Sequence, residues 1–299
     1  MQALALVHLA VALLAAPLLL SVINKTKAFF GGRQGPPWLQ PYRELTKLLH
    51  KGVARSRSTS WVFVAGPIVS VAATALALCL VPLGVVPALV AFPGDFVLLA
   101  YLLGLARFFT VSAALDTGSA FEGMGASREV QLSALAEPGL LLAFVVLAVA
   151  TQALSLTGLF ARLGTDGGPA LVLVFVALLV IFLSENSRIP VDDPNTHLEL
   201  TMIHEVMILD HSGPDLALIH YAAALKMWLL GTLLIGVPLS PWVSDGFASL
   251  LLGVLAMFAL AVLVGVIESS TARLRLTRLP QWLLAAFVLT AVALFVVMG

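Results

Sequence analysis

Long runs of apolar residues recur along this chain, separated by polar stretches. One helix needs about 20 apolar residues to cross a bilayer core. Eight runs meet that requirement, at 3–23, 61–82, 96–115, 138–160, 169–185, 216–238, 247–267 and 281–298. The pattern predicts an all-α, polytopic integral membrane protein of about eight transmembrane helices, with residues 1–299 in a single transmembrane domain. The first run lacks the basic flank of a signal peptide, so we interpret it as a retained span.

The composition supports a membrane protein and excludes several kinds of site. Of the 299 residues, 60% are hydrophobic and 11% are charged, against roughly 45–50% and about 25% in soluble domains. The net charge is zero, so nothing favours a nucleic-acid partner. Cys79 is the only cysteine, which excludes an intrachain disulfide and argues against a cysteine-ligated metal cluster. We therefore expect no cofactor bound by this chain and no catalysis by the chain alone.

The basic residues lie mostly on one side of the predicted spans. Thirteen of the sixteen occupy alternate connections: Lys25, Lys27, Arg33, Arg43, Lys47, Lys51, Arg55, Arg57, Arg128, Arg188, Arg273, Arg275 and Arg278. The opposite face carries only Arg162. By the positive-inside rule, the connections at about 24–60, 116–137, 185–215 and 268–280 are cytoplasmic. Both termini are then predicted on the other side of a plasma or inner membrane.

The connection 185–215 is strongly acidic. It contains seven of the sixteen acids: Glu185, Asp192, Asp193, Glu199, Glu205, Asp210 and Asp215. A solvated loop would explain the charge, but the alternation with Ile, Leu, Met and Val favours a segment packed against a neighbour. Thr196-x-x-Glu199 resembles a capping box and predicts a helix that extends to about Leu209. Carboxylates held close together raise one another's pKa values, which is the basis of a hypothesis that this segment relays protons.

Three histidines recur every seven residues in the same connection, at positions 197, 204 and 211. They would share one face of a helix. Metal ligands on a helix usually stand three or four residues apart, and the H-E-x-x-H spacing is missing. We therefore expect no metal site and interpret His197, His204 and His211 as surface or subunit-contact residues.

Charged residues also fall inside or at the ends of the predicted spans. Arg107 and Lys226 lie within spans, Glu137 opens one, and Glu185 and Glu268 close two others. A charge at the bilayer centre costs several kcal/mol, so such residues usually face a bundle interior and mark ion paths. Snorkelling to the headgroups would explain Glu137 and Glu268. It explains Lys226 less well, because that residue would have to reach over roughly 15 Å.

The first basic connection predicts a short amphipathic helix that begins at Pro41. Tyr42, Leu45 and Leu48-Leu49 would form an apolar stripe on this helix, opposite Arg43, Lys47 and Lys51. Such a helix lies at a membrane interface. It would serve either as a lipid-headgroup anchor or as a docking surface for a soluble partner.

Three motifs in this order carry a resemblance to a known family. The first is Gly32-Arg33-x-Gly35-Pro36 with Leu39-Gln40-Pro41 and Lys47-Leu48. The second is Gly125-Ala126-x-Arg128 leading to Glu137. The third is Glu185-x-x-Arg188-x-Pro190-x-Asp192-x-Pro194, followed by Glu199-Leu200 and Ser212-Gly213. The chain resembles the subunit 1 family of respiratory complex I, and more closely its branch in membrane-bound group 4 [NiFe] hydrogenases, such as formate hydrogenlyase subunit 4.

Several positions depart from the complex I members of that family. Asn195 and His197 stand where those members carry further acids, and Asp210 takes the place of the last loop glutamate. The glutamate expected in the sixth span aligns with Ala223, and the basic Lys226 follows one turn later. These departures put a quinone site in doubt.

The resemblance implies a membrane anchor and ion-coupling subunit. Its expected partners are hydrogenase-like large and small subunits, which carry the [NiFe] and iron–sulfur clusters, together with an iron–sulfur subunit and antiporter-like membrane subunits. The ion path is assigned to Arg107, Glu137, Glu185, Glu199, Glu205, Asp210 and Lys226. Arg188 and Asp192 would order the loop, and Arg33, Gln40, Arg43 and Lys47 would form the docking surface or a quinone-like cavity. A quinone-reducing complex I subunit, a stand-alone transporter and a passive anchor remain as alternatives.

Overall fold

The computed structural model describes residues 2–164, 168–192 and 202–298 as a helical bundle. Its α-helices are α1 (Gln2–Phe30), α2 (Gln40–Leu49), α3 (Trp61–Leu78), α4 (Asp95–Asp116), α5 (Ala120–Thr151), α6 (Leu156–Ala161), α7 (Gly168–Glu185), α8 (His204–Met207), α9 (Gly213–Leu239), α10 (Gly246–Ser270) and α11 (Leu279–Met298). Within these ranges, eight helices are long and apolar enough to cross a membrane. The predicted fold class is therefore confirmed.

Helix α9 is the central helix of the bundle. It packs against α1, α3, α7 and α10, with α2 across its first half. A helix that is apolar on all sides is suited to such a position. Two glycines allow neighbours to approach closely: a Cβ on Gly231 would lie 2.8 Å from Met257 Cε, and one on Gly236 would lie 2.7 Å from Phe160 Cε1. The remaining spans surround α9, with α3 paired to α4, α1 to α10, and α11 to both α5 and α7.

Helix α5 differs most from the predicted spans. It runs from Ala120 to Thr151, whereas the apolar pattern predicted a span at 138–160 and a connection at 116–137. The stretch 120–137 contains charged and small residues, and most of them form helices readily. Only their polarity had excluded them from the span. Glu137 therefore lies inside a helix instead of opening one, and the helix ends where Gln152 adopts a left-handed conformation (φ 52°).

Helix α2 is present as predicted, with Pro41 in its first turn. It packs against α1 and α9, and the Tyr42 hydroxyl donates a hydrogen bond to the Leu14 carbonyl of α1. Leu45 and Leu48 are half-buried, whereas Leu49 is exposed and does not belong to the buried stripe. The helix is therefore attached to the bundle through its apolar side.

The acidic connection is packed into the protein wherever it is described. Residues 188–192 and 202–203 are buried, as are 206–208, which agrees with the expectation that this segment packs against a neighbour. The predicted helix from Thr196 to Leu209 is not continuous, because Met202 and Ile203 precede the single helical turn of α8. The Asp192 carboxylate accepts hydrogen bonds from the amides of Ile203 (3.0 Å) and His204 (3.2 Å), which places the helix start there. Positions 193–201 lie outside the described residues.

Candidate functional site

A network of five charged side chains joins four of the spanning helices. Arg107 of α4 donates to both carboxylate oxygens of Glu185 on α7, at 2.6 and 2.7 Å. The same guanidinium contacts Glu137 and lies 3.5 Å from Glu129, both on α5. Lys226 of α9 completes the network, with its ammonium 2.8 Å from Glu185. We call these five residues the Arg107 cluster.

The Arg107 cluster lies deep in the bundle. Lys226 is thirteen residues from the start of α9 at Gly213, which corresponds to about 20 Å along the helix axis. The side chains of Arg107 and Glu185 are only 10% and 7% exposed, whereas that of Glu137 is 45% exposed. With every group ionised, three carboxylates face two cations, so the cluster carries one net negative charge. One added proton would neutralise it.

A cavity of about 590 Å³ leads to this cluster. Its deep end is lined by Arg107, Glu129, Glu185 and Lys226. Its other end is lined by Glu44, Lys47 and Lys51, which are exposed residues in and just after α2. The cavity therefore opens at the protein surface beside α2, and we call that end the cavity mouth.

Titratable side chains continue along the wall between the mouth and the cluster. They come from the segment after α7, from α8 and from α9, and are Arg188, Asp192, His204, Glu205 and His220. Ala223 and Lys226 follow His220 along the same wall. The cavity is thus lined by charged and titratable groups over its whole length.

The predicted coupling residues divide into three groups. Arg107, Glu137, Glu185 and Lys226 meet in one cluster, and Glu205 lines the cavity that leads to it. Asp210 is exposed and lies apart from the cavity, where its amide donates a 3.0 Å hydrogen bond to Glu122. Glu199 lies outside the described residues.

Of the four predicted docking residues, one lines the cavity. Lys47 lines the cavity. The Gln40 amide donates a 2.8 Å hydrogen bond to Glu44, which is itself a lining residue. Arg33 and Arg43 are exposed. Arg33, Gln40 and Arg43 are not among the residues that line this cavity, and the docking role of the four residues stays a prediction.

The sequence matches a known protein family over nearly its whole length. Residues 2–299 match the family described as NADH dehydrogenase, which is the family of complex I subunit 1. The chain belongs to this family. The resemblance inferred from the three sequence motifs is confirmed.

Two relatives come from hydrogenase systems. Formate hydrogenlyase subunit 4 of Escherichia coli (strain K12) is 32% identical over 282 residues, and the match covers 91% of each chain. Hydrogenase-4 component C of the same organism is 29% identical over 297 residues, with 97% of this chain and 93% of that protein covered. Among solved structures, the fold matches a chain of the membrane-bound sulfane sulfur reductase, an archaeal respiratory membrane complex. The TM-score is 0.81 at 19% identity, with 98% of both chains covered.

A second ion-pair network, which we call the Glu268 cluster, lies between α1, α10 and the segment after α7. Glu268 has no exposed side-chain surface, and it pairs with Lys27 (2.7 Å) and Arg188 (3.4 Å). The expectation that Glu268 snorkels to the headgroups is therefore wrong, because both cations reach it inside the protein. In the described part of the chain, the carboxylate beside Arg188 is Glu268 and not a loop acid. Asp192 pairs instead with Arg273 at 2.9 Å.

The family motif that begins at Gly125 has a packing explanation. A Cβ on Gly125 would lie 2.3 Å from Val206 Cγ1 of α8 and 2.9 Å from the Ile203 carbonyl oxygen. Three residues later in α5, Arg128 donates a 2.9 Å hydrogen bond to the Met202 carbonyl. The motif therefore seats α8, and with it Glu205, against the start of α5.

The Ser212-Gly213 motif connects the acidic segment to the first basic connection. The Ser212 hydroxyl bonds both the amide (2.9 Å) and the carbonyl (3.0 Å) of Ala54. Gly213 has a φ of 55°, and a Cβ there would lie 2.7 Å from the Gly52 carbonyl oxygen. Arg55 forms a two-pronged ion pair with Asp215 at 3.0 and 3.1 Å. The start of α9 and the chain after α2 therefore form one connected unit.

His204 and His211 do not share a helical face, because the chain turns after Met207. His197 lies outside the described residues. His204 lines the cavity. His211 is buried and stacks on Phe63 at 3.9 Å between ring centroids, so it is not the surface residue that was predicted. Its burial lowers the pKa of His211 to about 4. Within the described residues no group of three His, Cys, Asp or Glu side chains is arranged to hold a metal ion.

Sequence reasoning missed two residues of the ion-pair networks, Lys27 and Glu129, and one residue of the cavity wall, His220. Glu129 is two helical turns before Glu137 on α5, a spacing that places both on neighbouring faces, so this signal was present in the sequence. Lys27 and His220 gave no such signal. Lys27 was one of eight basic residues in its connection, and only the folded chain brings it to Glu268 or brings His220 to the cavity.

Proposed function

We propose that this chain is the membrane-anchor and ion-coupling subunit of a multisubunit group 4 [NiFe] hydrogenase-type respiratory complex, similar to formate hydrogenlyase. It docks a cytoplasmic electron-transfer module and links the redox reaction of that module to translocation of protons or sodium ions. Relatives named as a formate hydrogenlyase subunit and a hydrogenase-4 component support this assignment, as does the fold shared with a chain of a respiratory membrane complex.

The observation that carries the proposal is the Arg107 cluster, four of whose members line a cavity that also reaches exposed residues of α2. Its carboxylates exceed its cations by one. An uncompensated charge inside a protein is costly. The cluster therefore gains stability when it binds one further cation, which is a property that an ion path requires and a passive anchor does not.

The surface around the cavity mouth supports a docking role. Lys47 and Lys51 are exposed at the mouth. Arg33 and Arg43 are exposed in and before α2, together with the large apolar side chains of Trp38, Leu39 and Leu49. A basic surface with exposed aromatic and aliphatic groups suits a protein partner. In this proposal the partner module carries the [NiFe] and iron–sulfur clusters, and antiporter-like membrane subunits accept the translocated ion.

A quinone fits the cavity poorly. The volume of about 590 Å³ falls within the range of small-molecule sites. However, four charged groups line the deep end: Arg107, Glu129, Glu185 and Lys226. An apolar ring placed there would deprive these ions of solvation without replacing it. We therefore assign the space to water, and no step of the proposed function passes through a quinone.

Neutralising Glu185 tests the proposal. In inverted membrane vesicles that contain the whole complex, Glu185→Gln is expected to lower ion translocation per electron at least about tenfold. Hydrogen turnover with a reduced viologen dye should change far less. Translocation is measured as dye-reported acidification for protons and as uptake of labelled sodium.

The matched control is Asp245→Asn, on the side of the bundle opposite the cavity mouth. Asp245 caps α10 by accepting from the Ala248 amide at 2.8 Å, and asparagine caps helices about equally well. This variant should translocate normally. If Glu185→Gln also translocates normally while turning over hydrogen, the chain is a passive anchor and the proposal is overturned.

A further inference from the structure

One face of α9 presents a row of residues to the cavity. His220, Ala223 and Lys226 follow at intervals of three residues, and each of them lines the cavity wall. Residues three apart on a helix are neighbours on its surface. The row covers about 9 Å along the axis, from His220 on the mouth side to Lys226 in the Arg107 cluster.

The charged groups around His220 come from two other elements. Glu44 of α2 and His204 and Glu205 of α8 interact with it electrostatically. All three also line the cavity, as do the ammonium groups of Lys47 and Lys51 at the mouth. His220 is half-buried, so it is the titratable group of α9 placed between the exposed acids and the deep cluster.

We propose that His220 carries protons between the cavity mouth and the Arg107 cluster, and that the coupled ion is therefore H⁺. This inference rests on the proposed function and deepens it. An imidazole ring is suited to this task because it has two nitrogens and an ordinary pKa close to neutrality. A histidine offers no comparable ligand for Na⁺, which prefers oxygen atoms.

The transfer requires only N–H and O–H bonds to form and break. One ring nitrogen of His220 takes a proton from a water on the mouth side, where Glu44 and Glu205 line the cavity. The other ring nitrogen releases its proton to a water beside Lys226 and Glu185. The imidazole is neutral before and after the transfer. A rotation of the ring exchanges its two nitrogens, so that the next proton can be taken up. The small side chain of Ala223 leaves room for that water in the cavity.

The first experiment replaces His220 in the intact complex. His220→Gln keeps a polar side chain of similar length but removes the titration. In inverted vesicles, proton translocation per electron should fall at least about tenfold, while hydrogen turnover with a viologen dye changes less than about twofold. The control is His50→Gln, since His50 is exposed at the end of α2 and bonds only locally to the Thr46 carbonyl at 2.8 Å.

The second experiment restores a titratable group one turn away. Adding Ala223→Glu to His220→Gln places a carboxyl on the same row, in the same cavity. We expect this double variant to recover at least about a third of proton translocation, with its optimum shifted to lower pH because a carboxyl replaces an imidazole. A lost interaction that was merely structural would not be rescued in this way. Should His220→Gln fail to assemble, His220→Asn removes the same titration with a smaller side chain.

The outcomes separate this inference from the proposed function. Normal proton translocation in His220→Gln, together with loss in Glu185→Gln, would overturn the role of His220 and leave the coupling function standing. Uptake of labelled sodium with no proton movement in the unaltered complex would overturn the assignment of H⁺. Normal translocation in both variants would overturn the proposed function itself.

Discussion

Two ion-pair networks meet the chain at the end of α7, one through Glu185 and the other through Arg188, and they differ in the balance of their charges. The Arg107 cluster has three carboxylates and two cations. The Glu268 cluster has one carboxylate and two cations, and its carboxylate has no exposed surface. Four of the five residues of the Arg107 cluster line the cavity. In the Glu268 cluster, only Arg188 lines the cavity, and Glu268 itself is enclosed between helices.

The proposed function gives these two networks different roles. In the Glu268 cluster two cations hold one carboxylate, and these ion pairs join α1, α10 and the segment after α7. In the Arg107 cluster three carboxylates share two cations, and Glu129 and Glu185 line the cavity. Under the proposed function this cluster takes up and releases the coupled ion. Counting acids against bases, and noting whether water reaches them, therefore separates a structural network from an ion-carrying one.

The largest effect is expected from removing the shared cation of the Arg107 cluster. Arg107→Met leaves three carboxylates with Lys226 alone, and breaking a buried pair in this way costs about 3–5 kcal/mol. The measurement is the temperature of half-maximal aggregation of this chain when the purified complex is heated in detergent. It should fall more than for any other single change described here.

A triple variant tests whether charge imbalance causes that loss. Combining Arg107→Met with Glu129→Gln and Glu137→Gln leaves Glu185 paired with Lys226 alone, and most of the lost stability should return. A triple variant that is no more stable than Arg107→Met would mean that the guanidinium acts through packing instead of charge.

A smaller loss is expected in the Glu268 cluster. Glu268→Gln leaves Lys27 and Arg188 without their carboxylate, but the Lys27 side chain is 23% exposed and can regain water. The expected cost is about 2–3 kcal/mol, at or below the lower end of the range for broken buried pairs. Ion translocation per electron should stay unchanged in the complex that remains. Loss of translocation with unchanged thermal stability would show that the two clusters do not divide their roles as proposed.

The smallest effect concerns the seating of α8, which brings Glu205 and His204 to the cavity of the Arg107 cluster. Gly125→Ala adds a Cβ that overlaps Val206 and the backbone oxygen of Ile203, and overpacking of this kind costs about 1–3 kcal/mol. The aggregation temperature should fall, and translocation should fall with it.

Gly123 on the same helix provides the matched control. A Cβ there meets nothing closer than Leu115 Cδ2 at 3.9 Å, and alanine is favoured over glycine inside a helix by roughly 0.5–1 kcal/mol. Gly123→Ala should therefore leave stability unchanged or raise it. Equal losses in the two variants would exclude the close approach of α8 as the cause.

The number of spans and the position of α2 followed from apolarity and from a single proline. These features depend on local sequence, because a bilayer selects helices by length and hydrophobicity alone. The boundaries of α5 did not follow, since the residues before Glu137 are polar yet remain helical. Apolarity indicates which residues meet lipid, but it does not indicate where a helix continues beyond that region or into a polar interior.

The sequence predicted which residues belong to the site, but it did not predict which of them pair with one another. Arg107, Glu137, Glu185 and Lys226 stood out because each is costly in a membrane. Their mutual pairing depends on how α4, α5, α7 and α9 are arranged, which one sequence does not encode in any local pattern. Glu268 was misjudged for the same reason: its position at a span end is compatible both with headgroup contact and with the buried pairs that the fold provides.

Helix α5 is unbroken between Arg128, which holds the Met202 carbonyl, and Glu137. One inserted or deleted residue between them would rotate one end of the helix by about 100° and shift it by about 1.5 Å relative to the other. Glu129 and Glu137 would then no longer reach the same guanidinium, even though every residue was still present. The length of that stretch therefore matters to the site as much as the identity of its side chains, whereas an insertion after Gln152, where the helix has ended, leaves this register unchanged.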